Sequence, residues 1–444
     1  MSMAWDLPDF RHVLYEVSIS DRATNGEDRH PQGGFPPRKG SNRPSNKPAT
    51  CPWHGPPGSP SFSRTNKTLP TPIPLLALKA AYDELQVEFD EAYRRVMQSG
   101  RYLFGPELEA FEAEYARSIG AAHCVGTANG LEALQMVLMA WGVGPGDEVI
   151  VPSNGYIATW LATAHVGATP VPSEPDPRTF NLDPTRLEAA LTPRTKVLLP
   201  IHLYGQTAAM TEIRAIAARH SLLVLEDAAQ SHGATWAGKQ AGALGDAAGF
   251  SFYPSKNLGA FADAGAITTS DASLAARLRE IRNYGSKERY HNEVIGLNSR
   301  LDELQAAFLR IKLRHLPEWN ARRSALASRY LNQLAGVGDL LLPQVAEGAV
   351  PVWHLFVVRT PRRDALRRHL TAQGIGTEVH YPIPPHLSGA YRDRGWKRGD
   401  FPIAETLASE VLSLPMGPHL STEAVDQVCD AIQSFYRVKP GAAQ

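Results

Sequence analysis

The feature that most constrains the fold is an alternation of short apolar runs with amphipathic segments through the middle of the chain. Short apolar runs predict strands, and apolar residues spaced three or four apart predict helices. Strands are expected at residues 121–126, 148–152, 196–202 and 222–227, and helices at residues 129–141, 157–166 and 210–220. Strands that alternate with helices on this scale form a parallel sheet covered on both faces. The sequence therefore predicts an α/β fold with a mostly parallel sheet.

The segments on either side of this alternation have a helical pattern. Residues 75–119 show helical spacing of apolar residues, interrupted by a turn signal at residues 100–106. After Asn298 a second helical pattern runs to about Leu334, and Pro317 marks a break or kink within it.

The last part of the chain mixes both kinds of element. A strand is expected at residues 352–359, and helices at residues 362–373 and 422–436. This mixture predicts a smaller C-terminal α+β domain. We therefore expect a large domain at residues 73–315 and a small domain at residues 316–444.

The N-terminal segment differs in composition from the rest. Residues 24–71 are dense in Pro, Gly, Ser, Asn and Arg and contain few large apolar residues. Such a segment cannot offset the entropy lost on ordering, so residues 1–72 are predicted to be a disordered extension. We expect an extension without a catalytic part, and a regulatory tail is the alternative.

Composition and charge exclude several classes of function. The chain has 444 residues and a formal net charge of zero, which points to neither a nucleic acid nor a membrane surface as partner. Its three cysteines are widely spaced and form neither a disulfide framework nor a metal-ligand pattern. We find neither a signal peptide nor an apolar run long enough to span a membrane. The sequence predicts a cytoplasmic protein without a metal.

Asp227 is the first candidate functional residue, because it closes the apolar run at residues 222–225. Ligands of open α/β sheets bind at the carboxyl ends of the strands. A carboxylate there can pair with the protonated pyridine nitrogen of pyridoxal phosphate (PLP). The alternative is a residue that only caps a turn.

Lys256 is the second candidate, because it follows an apolar and aromatic strand that ends at Pro254. The Gly- and Ala-rich stretch around it, which continues to Ala260, is nearly uncharged. A lysine in dry surroundings can lose its proton and act as a Schiff-base nucleophile. An aspartate at a strand end followed by such a lysine indicates a PLP enzyme.

A turn at residues 126–130 supplies a third element, since it lies between a predicted strand and a predicted helix. Its small residues let backbone N–H groups approach an anion, and the start of the helix favours negative charge. A simple tight turn is the alternative. The spacing fits neither a Walker A loop nor a G-x-G-x-x-G motif, so a nucleoside triphosphatase or a dehydrogenase finds little support.

These three elements occur in the order used by fold-type I PLP-dependent transferases. From about Pro74 to Tyr436 the chain resembles the DegT/StrS family of sugar-nucleotide aminotransferases. The matching stretches are residues 126–134, 226–233, 250–256, 282–285 and 296–303. Five matches in order over most of the chain make this resemblance highly specific.

The resemblance implies catalytic roles for three residues. Lys256 would form the Schiff base with PLP and then carry a proton between the substrate carbon and the cofactor. Asp227 would pair with the pyridine nitrogen, and Gln230 would reach the ring hydroxyl. Family members known as dehydratases have a histidine in place of this lysine, so Lys256 favours transamination.

The resemblance also implies further contacts to the cofactor. Thr127, Ala128 and Ser251 would bind its phosphate, and Tyr156 would lie against the ring face. Asn298 matches a family residue that reaches the phosphate of the neighbouring subunit, which implies a homodimer with shared active sites.

Other residues have less certain roles. Tyr284, His380 and Tyr381 lie in segments that resemble the family's sugar-nucleotide contacts, with loop packing as the alternative. His202 and His232 lie beside predicted site strands, where a structural histidine is at least as frequent. Two departures from the family stand beside the site: Gly155 occupies a position where Thr is usual, and Ser255 one where Gly is usual.

By resemblance the protein transfers an amino group from L-glutamate to a keto sugar nucleotide. Residues 156–160, 202–206 and 290–296 are similar to enzymes that aminate carbon 3 of dTDP-3-keto-6-deoxyhexoses. Amination at carbon 4 of a related nucleotide sugar is the alternative within the class. A non-catalytic PLP-binding regulator is the alternative from another class.

Overall fold

The computed structural model describes residues 72–437, so the predicted disordered extension, apart from Pro72, lies outside the described residues. The described part contains eleven α-helices and fourteen β-strands. The helices are α1 (Leu78–Ser99), α2 (Pro106–Ile119), α3 (Gly130–Ala140), α4 (Ile157–His165), α5 (Leu187–Ala190), α6 (Met210–His220), α7 (Ala272–Ile281), α8 (Glu303–Leu334), α9 (Arg363–Ala372), α10 (Pro402–Glu410) and α11 (Thr422–Arg437). The strands are β1 (His123–Thr127), β2 (Glu148–Pro152), β3 (Thr169–Ser173), β4 (Thr195–Leu198), β5 (Leu223–Asp227), β6 (Thr235–Trp236), β7 (Lys239–Gln240), β8 (Ala247–Ser251), β9 (Gly265–Thr269), β10 (Ser286–Glu288), β11 (His291–Asn292), β12 (Ala349–Val350), β13 (Phe356–Arg359) and β14 (Val411–Leu414).

A seven-stranded sheet forms the centre of the fold, in the order β1-β9-β8-β5-β4-β2-β3. The pairs from β8 to β3 are parallel, whereas β9 runs antiparallel to both β1 and β8. The predicted α/β class with a mostly parallel sheet is therefore confirmed.

Helices cover both faces of this sheet, because successive strand residues point to opposite sides. Val149 and Val151 pack with α3, α4 and α7 on one face. Ile150 packs with α6 on the other face, where α2 and α8 cover the β1 end of the sheet. Burial on both faces explains the nearly continuous apolar strands of the sequence.

The predicted elements agree closely with the structure where the apolar pattern is strong. The strand at residues 148–152 and the helix at residues 210–220 have the predicted bounds. The sequence analysis missed β3 and β9. β3 contains two prolines, which a strand at the edge of a sheet tolerates, and β9 is a short run of Gly, Ala, Ile and Thr.

A second group of elements follows the sheet. The antiparallel pair β13 and β14 packs with α9, α11 and the last part of α8 in a separate hydrophobic cluster. Of the predicted break or kink at Pro317, the break is wrong, since α8 continues through this residue as one helix, and the kink stays a prediction. Packing against α1, α2 and α11 offsets the backbone hydrogen bond that proline removes. The domain boundary at residues 315 and 316 falls within α8 and stays a prediction.

Glu303 joins the start of α8 to the start of α2. Its side chain is 1% exposed, and its carboxylate accepts hydrogen bonds from the backbone N–H groups of Gly105 (2.8 Å), Glu107 (2.9 Å) and Leu108 (3.1 Å). The first N–H groups of a helix have no partner within the helix, so this carboxylate caps α2 from a distant part of the chain.

Replacing this carboxylate should destabilise the fold. We expect Glu303→Ala to lower the free energy of unfolding by about 2–3 kcal/mol, because buried N–H groups lose a charged acceptor. Urea denaturation of the purified full-length chain measures the change. Glu109→Ala, at an exposed position of α2, is the matched control and should change stability by less than about 0.5 kcal/mol. Equal losses in the two variants would contradict the capping role.

Candidate active site

The candidate site is an open pocket of about 530 Å³ at the carboxyl ends of the parallel strands. Its size is that of a small-molecule site. Seven of the residues predicted from the sequence line it: Tyr156, Asp227, Gln230, Ser251, Lys256, His380 and Tyr381. The fold thus brings together residues that are far apart in the chain.

Asp227 is the buried anion of this pocket. It is 7% exposed at the end of β5, and burial raises the pKa of its carboxyl. The hydroxyl of Thr159 and the backbone N–H of Ala229 donate to its two oxygens at 2.6 and 3.2 Å. These donors fix the orientation of the carboxylate without neutralising it, so a cation that enters the pocket is favoured.

Lys256 lies in the loop after β8, the strand that pairs with β5. Burial lowers the pKa of its amino group to about 8, and the attraction of Asp227 opposes this shift. A lysine with this pKa is partly neutral near pH 7, and only the neutral amine is a nucleophile.

The start of α3 forms a wall of the pocket that is suited to an anion. Asn129, Gly130 and Leu131 line the pocket beside Ser251 of β8. A Cβ atom at Gly130 would come within 2.7 Å of the Ser251 Cβ, so glycine permits this close packing of helix and strand. Free N–H groups at a helix start and a hydroxyl make a suitable site for a phosphate.

Two aromatic side chains and an amide form another wall. The rings of Tyr156 and Tyr381 lie 5.1 Å apart. The side-chain amide of Gln230 donates to the Tyr381 hydroxyl at 3.1 Å and accepts from the backbone N–H of Tyr204 at 2.6 Å. Gln230 is thereby held in place with its side chain at the pocket.

Four predicted site residues do not line the pocket. Thr127 is fully buried and donates to the Asn129 carbonyl at 3.1 Å, and the Ala128 N–H donates to Ser299 at 3.1 Å, so both hold the turn before α3. Tyr284 and Asn298 are exposed outside the pocket. Their predicted contacts to phosphate, sugar nucleotide or a neighbouring subunit stay predictions.

The two histidines of uncertain role are both fully buried, and neither lines the pocket. His202 receives a hydrogen bond from the Ala208 N–H at 3.1 Å and donates to Glu226 at 2.8 Å, which fits a structural role. His232 lies between Phe250 and Phe252, and burial lowers its pKa to about 3.

The sequence analysis missed Thr159 and His354. Thr159 lies on α4 and contacts Asp227 across 68 residues of sequence. The sequence offered one signal for Thr159: its hydroxyl lies one helical turn after Tyr156, a residue already predicted to line the site. His354 lines the pocket from the segment before β13, and nothing in the sequence marks it.

Gly155 lies directly before Tyr156, and its nearest neighbour is the end of a flexible side chain. A Cβ atom at this position would collide with Cδ1 of Ile201, which lines the pocket beside Tyr156. A larger side chain at residue 155 would therefore require Ile201 to change its rotamer.

The pocket fits PLP. The buried carboxylate of Asp227 matches a protonated pyridine nitrogen, the start of α3 matches a phosphate, and Lys256 matches the aldehyde. No cluster of His, Cys, Asp or Glu suited to a metal occurs within residues 72–437. None of the helices among these residues has the length and apolar character of a membrane span.

Fold and pocket together define a fold-type I PLP-dependent aminotransferase. The chain belongs to the DegT/DnrJ/EryC1/StrS aminotransferase family, whose model matches residues 83–433. The family, the enzyme class and the cofactor predicted from the sequence are confirmed.

The chain aligns with nearly the whole length of several relatives. The chain is 56% identical over 363 residues to the dTDP-3-amino-3,4,6-trideoxy-alpha-D-glucose transaminase of Streptomyces venezuelae, covering 82% of this chain and 96% of that protein. It is also 56% identical over 362 residues to the erythromycin biosynthesis sensory transduction protein EryC1 of Saccharopolyspora erythraea, covering 82% and 99%. The crystal structure of S. venezuelae DesV in complex with a ketimine intermediate has a TM-score of 0.82 at 55% identity, covering 83% of this chain and 99% of that one.

The hydrogen bond from Thr159 should matter for cofactor binding. We expect Thr159→Val to weaken PLP affinity about tenfold, because the carboxylate of Asp227 loses the donor that orients it. Thr163→Val is the matched control, since this buried hydroxyl on the same helix donates only to a backbone carbonyl. Fluorescence titration with PLP measures both affinities. Equal affinities in the two variants would show that the orientation of Asp227 does not depend on Thr159.

The lowered pKa of Lys256 predicts how PLP capture depends on pH. The neutral amine attacks the aldehyde, so the rate should rise with pH through a midpoint near 8 rather than near 10.5. Stopped-flow absorbance on the cofactor-free protein between pH 6 and 10 measures this rate. Lys256→Ala should not show the absorbance change that accompanies PLP capture, because it lacks the amine. A midpoint above about 9.5 would show that burial does not control this amine.

Proposed function

We propose that this chain transfers the amino group of L-glutamate to carbon 3 of a dTDP-linked 3-keto-6-deoxyhexose, in amino-sugar biosynthesis. The observation that carries the proposal is the pocket that holds Lys256 and Asp227, in a chain 56% identical to a transaminase named for a dTDP-3-amino sugar. We further propose that the reaction takes place in the cytoplasm.

The pocket supplies each requirement of transamination. When bound in this pocket, PLP would supply an electron sink for the substrate carbon, so that this carbon could lose a proton. The Lys256 amine, with its pKa lowered to about 8, takes up that proton and returns it to the adjacent atom on the cofactor side. Asp227 would hold negative charge at the buried end of the pocket, and the start of α3 would hold the cofactor phosphate.

The open side of the pocket suits a sugar nucleotide. Tyr253 lines the pocket and is 55% exposed, so its ring is free to pack against a sugar or base, whereas we assign Tyr156 to the face of the cofactor ring. We assign His380 and Tyr381, which line the same pocket, to substrate contacts. Tyr284 has the same assignment, but it would reach a substrate only from a neighbouring subunit.

A homodimer with shared active sites is part of the proposal. Tyr290 and Ile295 are 82% and 89% exposed in the segment between Tyr284 and Asn298. Large apolar side chains this exposed are suited to an interface. Such an interface would carry Asn298 to the phosphate of the partner's pocket.

Two alternatives stand beside this proposal. Amination at carbon 4 of a related nucleotide sugar uses the same pocket. A PLP-binding regulator is the second alternative, and the relative EryC1 is named as a sensory transduction protein. The presence of Lys256 and Asp227 in one pocket favours catalysis over regulation.

A spectroscopic experiment tests the donor half-reaction. The full-length chain is mixed with PLP, its visible absorbance is recorded, and L-glutamate is added. We expect a band that glutamate bleaches in the wild type, and no bleaching in Lys256→Ala. A band that glutamate leaves unchanged would contradict the aminotransferase proposal and favour the regulator.

The dimer is tested by mixing two inactive variants. Lys256→Ala and Asn298→Asp are unfolded together and refolded in equal amounts. Half of the dimers then contain both variants, and each of these has one intact site. We expect about a quarter of the wild-type turnover to return, as shared sites in a two-fold dimer require. No recovery, with both variants folded, would contradict shared sites.

A further inference from the structure

Tyr204 is a buried tyrosine in the turn between β4 and α6, and it has no role in the proposal above. Its φ of +60° lies in the left-handed region, which a residue with a Cβ atom rarely adopts. Such a conformation persists only where surrounding contacts hold it, and it is frequent at functional sites. The contacts of Tyr204 therefore indicate what this turn does.

The segment before β13 holds the backbone of the turn. The N–H of Leu355 donates to the Tyr204 carbonyl at 3.3 Å, and the N–H of Val352 donates to the Gly205 carbonyl at 2.8 Å. Gly205 has a φ of +97°, and a Cβ atom there would lie 2.6 Å from the backbone nitrogen of His354. Glycine permits this close approach, so backbone contacts keep the turn in place independently of the Tyr204 side chain.

The backbone N–H of Tyr204 orients the side-chain amide of Gln230. It donates to Oε1 of Gln230 at 2.6 Å. A backbone N–H can only donate, so the atom that faces it is the amide oxygen, and the NH₂ group points away from the turn. One N–H of this group donates to the Tyr381 hydroxyl at 3.1 Å. Gln230 therefore holds Tyr381 as a donor, never as an acceptor.

The hydroxyl of Tyr204 holds the backbone beside the same tyrosine. It donates to the carbonyl of His380, the residue directly before Tyr381. Burial raises the pKa of Tyr204, so this hydroxyl keeps its proton and remains a donor. The Tyr204 ring packs against Phe180, with the ring centroids 5.3 Å apart. Tyr204 thus fixes Tyr381 by two routes, through Gln230 and through the His380 carbonyl.

The direction of these hydrogen bonds leaves the proton of Tyr381 available to a ligand. Because its hydroxyl oxygen accepts from Gln230, its own proton points elsewhere, and in the described part of the chain this proton has no acceptor. Burial raises the pKa of Tyr381, and the nearby Asp227 and Tyr156 raise it further, so the hydroxyl stays protonated at neutral pH. Tyr381 and Lys256 line the same pocket.

We propose that Tyr204 is a positioning residue that holds Tyr381 in place as a hydrogen-bond donor to an oxygen atom of the sugar nucleotide. The inference rests on the proposed function, because it specifies the direction of a substrate contact assigned there. A hydroxyl donor suits a sugar, whose carbonyl and hydroxyl oxygens all accept hydrogen bonds. Tyr204 does not line the pocket, so it acts through its neighbours.

A double-mutant cycle in the full-length protein tests this role. Tyr204→Phe removes the hydrogen bond to the His380 carbonyl and keeps the ring, and Tyr381→Phe removes the proposed donor. Tyr330→Phe is the matched control, since this buried hydroxyl of the same hydrophobic cluster donates to the Pro415 carbonyl at 2.9 Å. The probe is dTDP-3-amino-3,4,6-trideoxy-alpha-D-glucose, the amino sugar in the name of a relative. In the reverse half-reaction it should bleach the PLP absorbance of the wild type.

The concentration of amino sugar that gives half of the maximal bleaching rate is the first readout. We expect it to rise about tenfold in Tyr381→Phe and about fivefold in Tyr204→Phe, as expected for the loss of one hydrogen bond. The double variant should equal Tyr381→Phe, because Tyr204 acts through Tyr381. Tyr330→Phe should match the wild type. PLP affinity should be unchanged in Tyr204→Phe, since the backbone N–H still orients Gln230.

Independent effects would overturn the inference. These are losses that multiply in the double variant, an unchanged Tyr204→Phe, or an equal loss in Tyr330→Phe, which would show that any buried tyrosine hydroxyl has this effect.

Crystal structures of the wild type and Tyr204→Phe test the positioning without a substrate. We expect the Tyr381 hydroxyl of the variant to lie beyond hydrogen-bond distance from the Gln230 amide, and an unchanged contact would overturn the inference. If the wild type does not react with the amino sugar, the proposed substrate is wrong, and this comparison of structures still decides whether Tyr204 positions Tyr381.

Discussion

The site depends on one electrostatic arrangement, the buried carboxylate of Asp227 facing a pocket that also holds Lys256. Burial raises the pKa of the carboxyl and lowers the pKa of the amine, so each charge is costly without the other or without a bound ion. Thr159 and Ala229 donate to the carboxylate and orient it without removing its charge. A ligand that brings a cation to this end of the pocket is therefore bound strongly.

The sheet makes this arrangement possible. β5 and β8 pair in parallel, so Asp227 and the loop that carries Lys256 emerge at the same edge. The start of α3 reaches that edge beside the last residue of β8, where glycine allows close contact. The order of the strands thus places Asp227, Lys256 and the start of α3 at one edge of the sheet. Ligands of open α/β sheets generally bind at this edge.

The histidines near Lys256 have a common property. The pKa values of His232, His354 and His380 are all lowered by burial and by the charge of Lys256. These rings stay neutral at pH 7 and would not compete with Lys256 for the proton that moves in the proposed reaction. Their contribution is shape and hydrogen bonding rather than charge.

Much of this arrangement was predicted from the sequence, because strong apolar patterns place strands and the polar residues at their ends. Asp227 and Lys256 follow apolar runs, so their position at the sheet edge could be expected. β3 and β9 were missed because an edge strand with prolines and a short strand of small residues have weak patterns. Thr159 and His354 were missed because their roles come from contacts with residues far away in the chain, which no local pattern records.

The most direct measurement of the central claim is the protonation state of the cofactor ring nitrogen. PLP labelled with ¹⁵N in the ring can be bound to the full-length protein and its nuclear magnetic resonance shift followed between pH 7 and pH 9. Because Asp227 is a buried carboxylate, the account predicts a protonated nitrogen throughout this range in the wild type and an unprotonated one in Asp227→Asn. An unprotonated nitrogen in the wild type would contradict the pairing on which the proposed reaction depends.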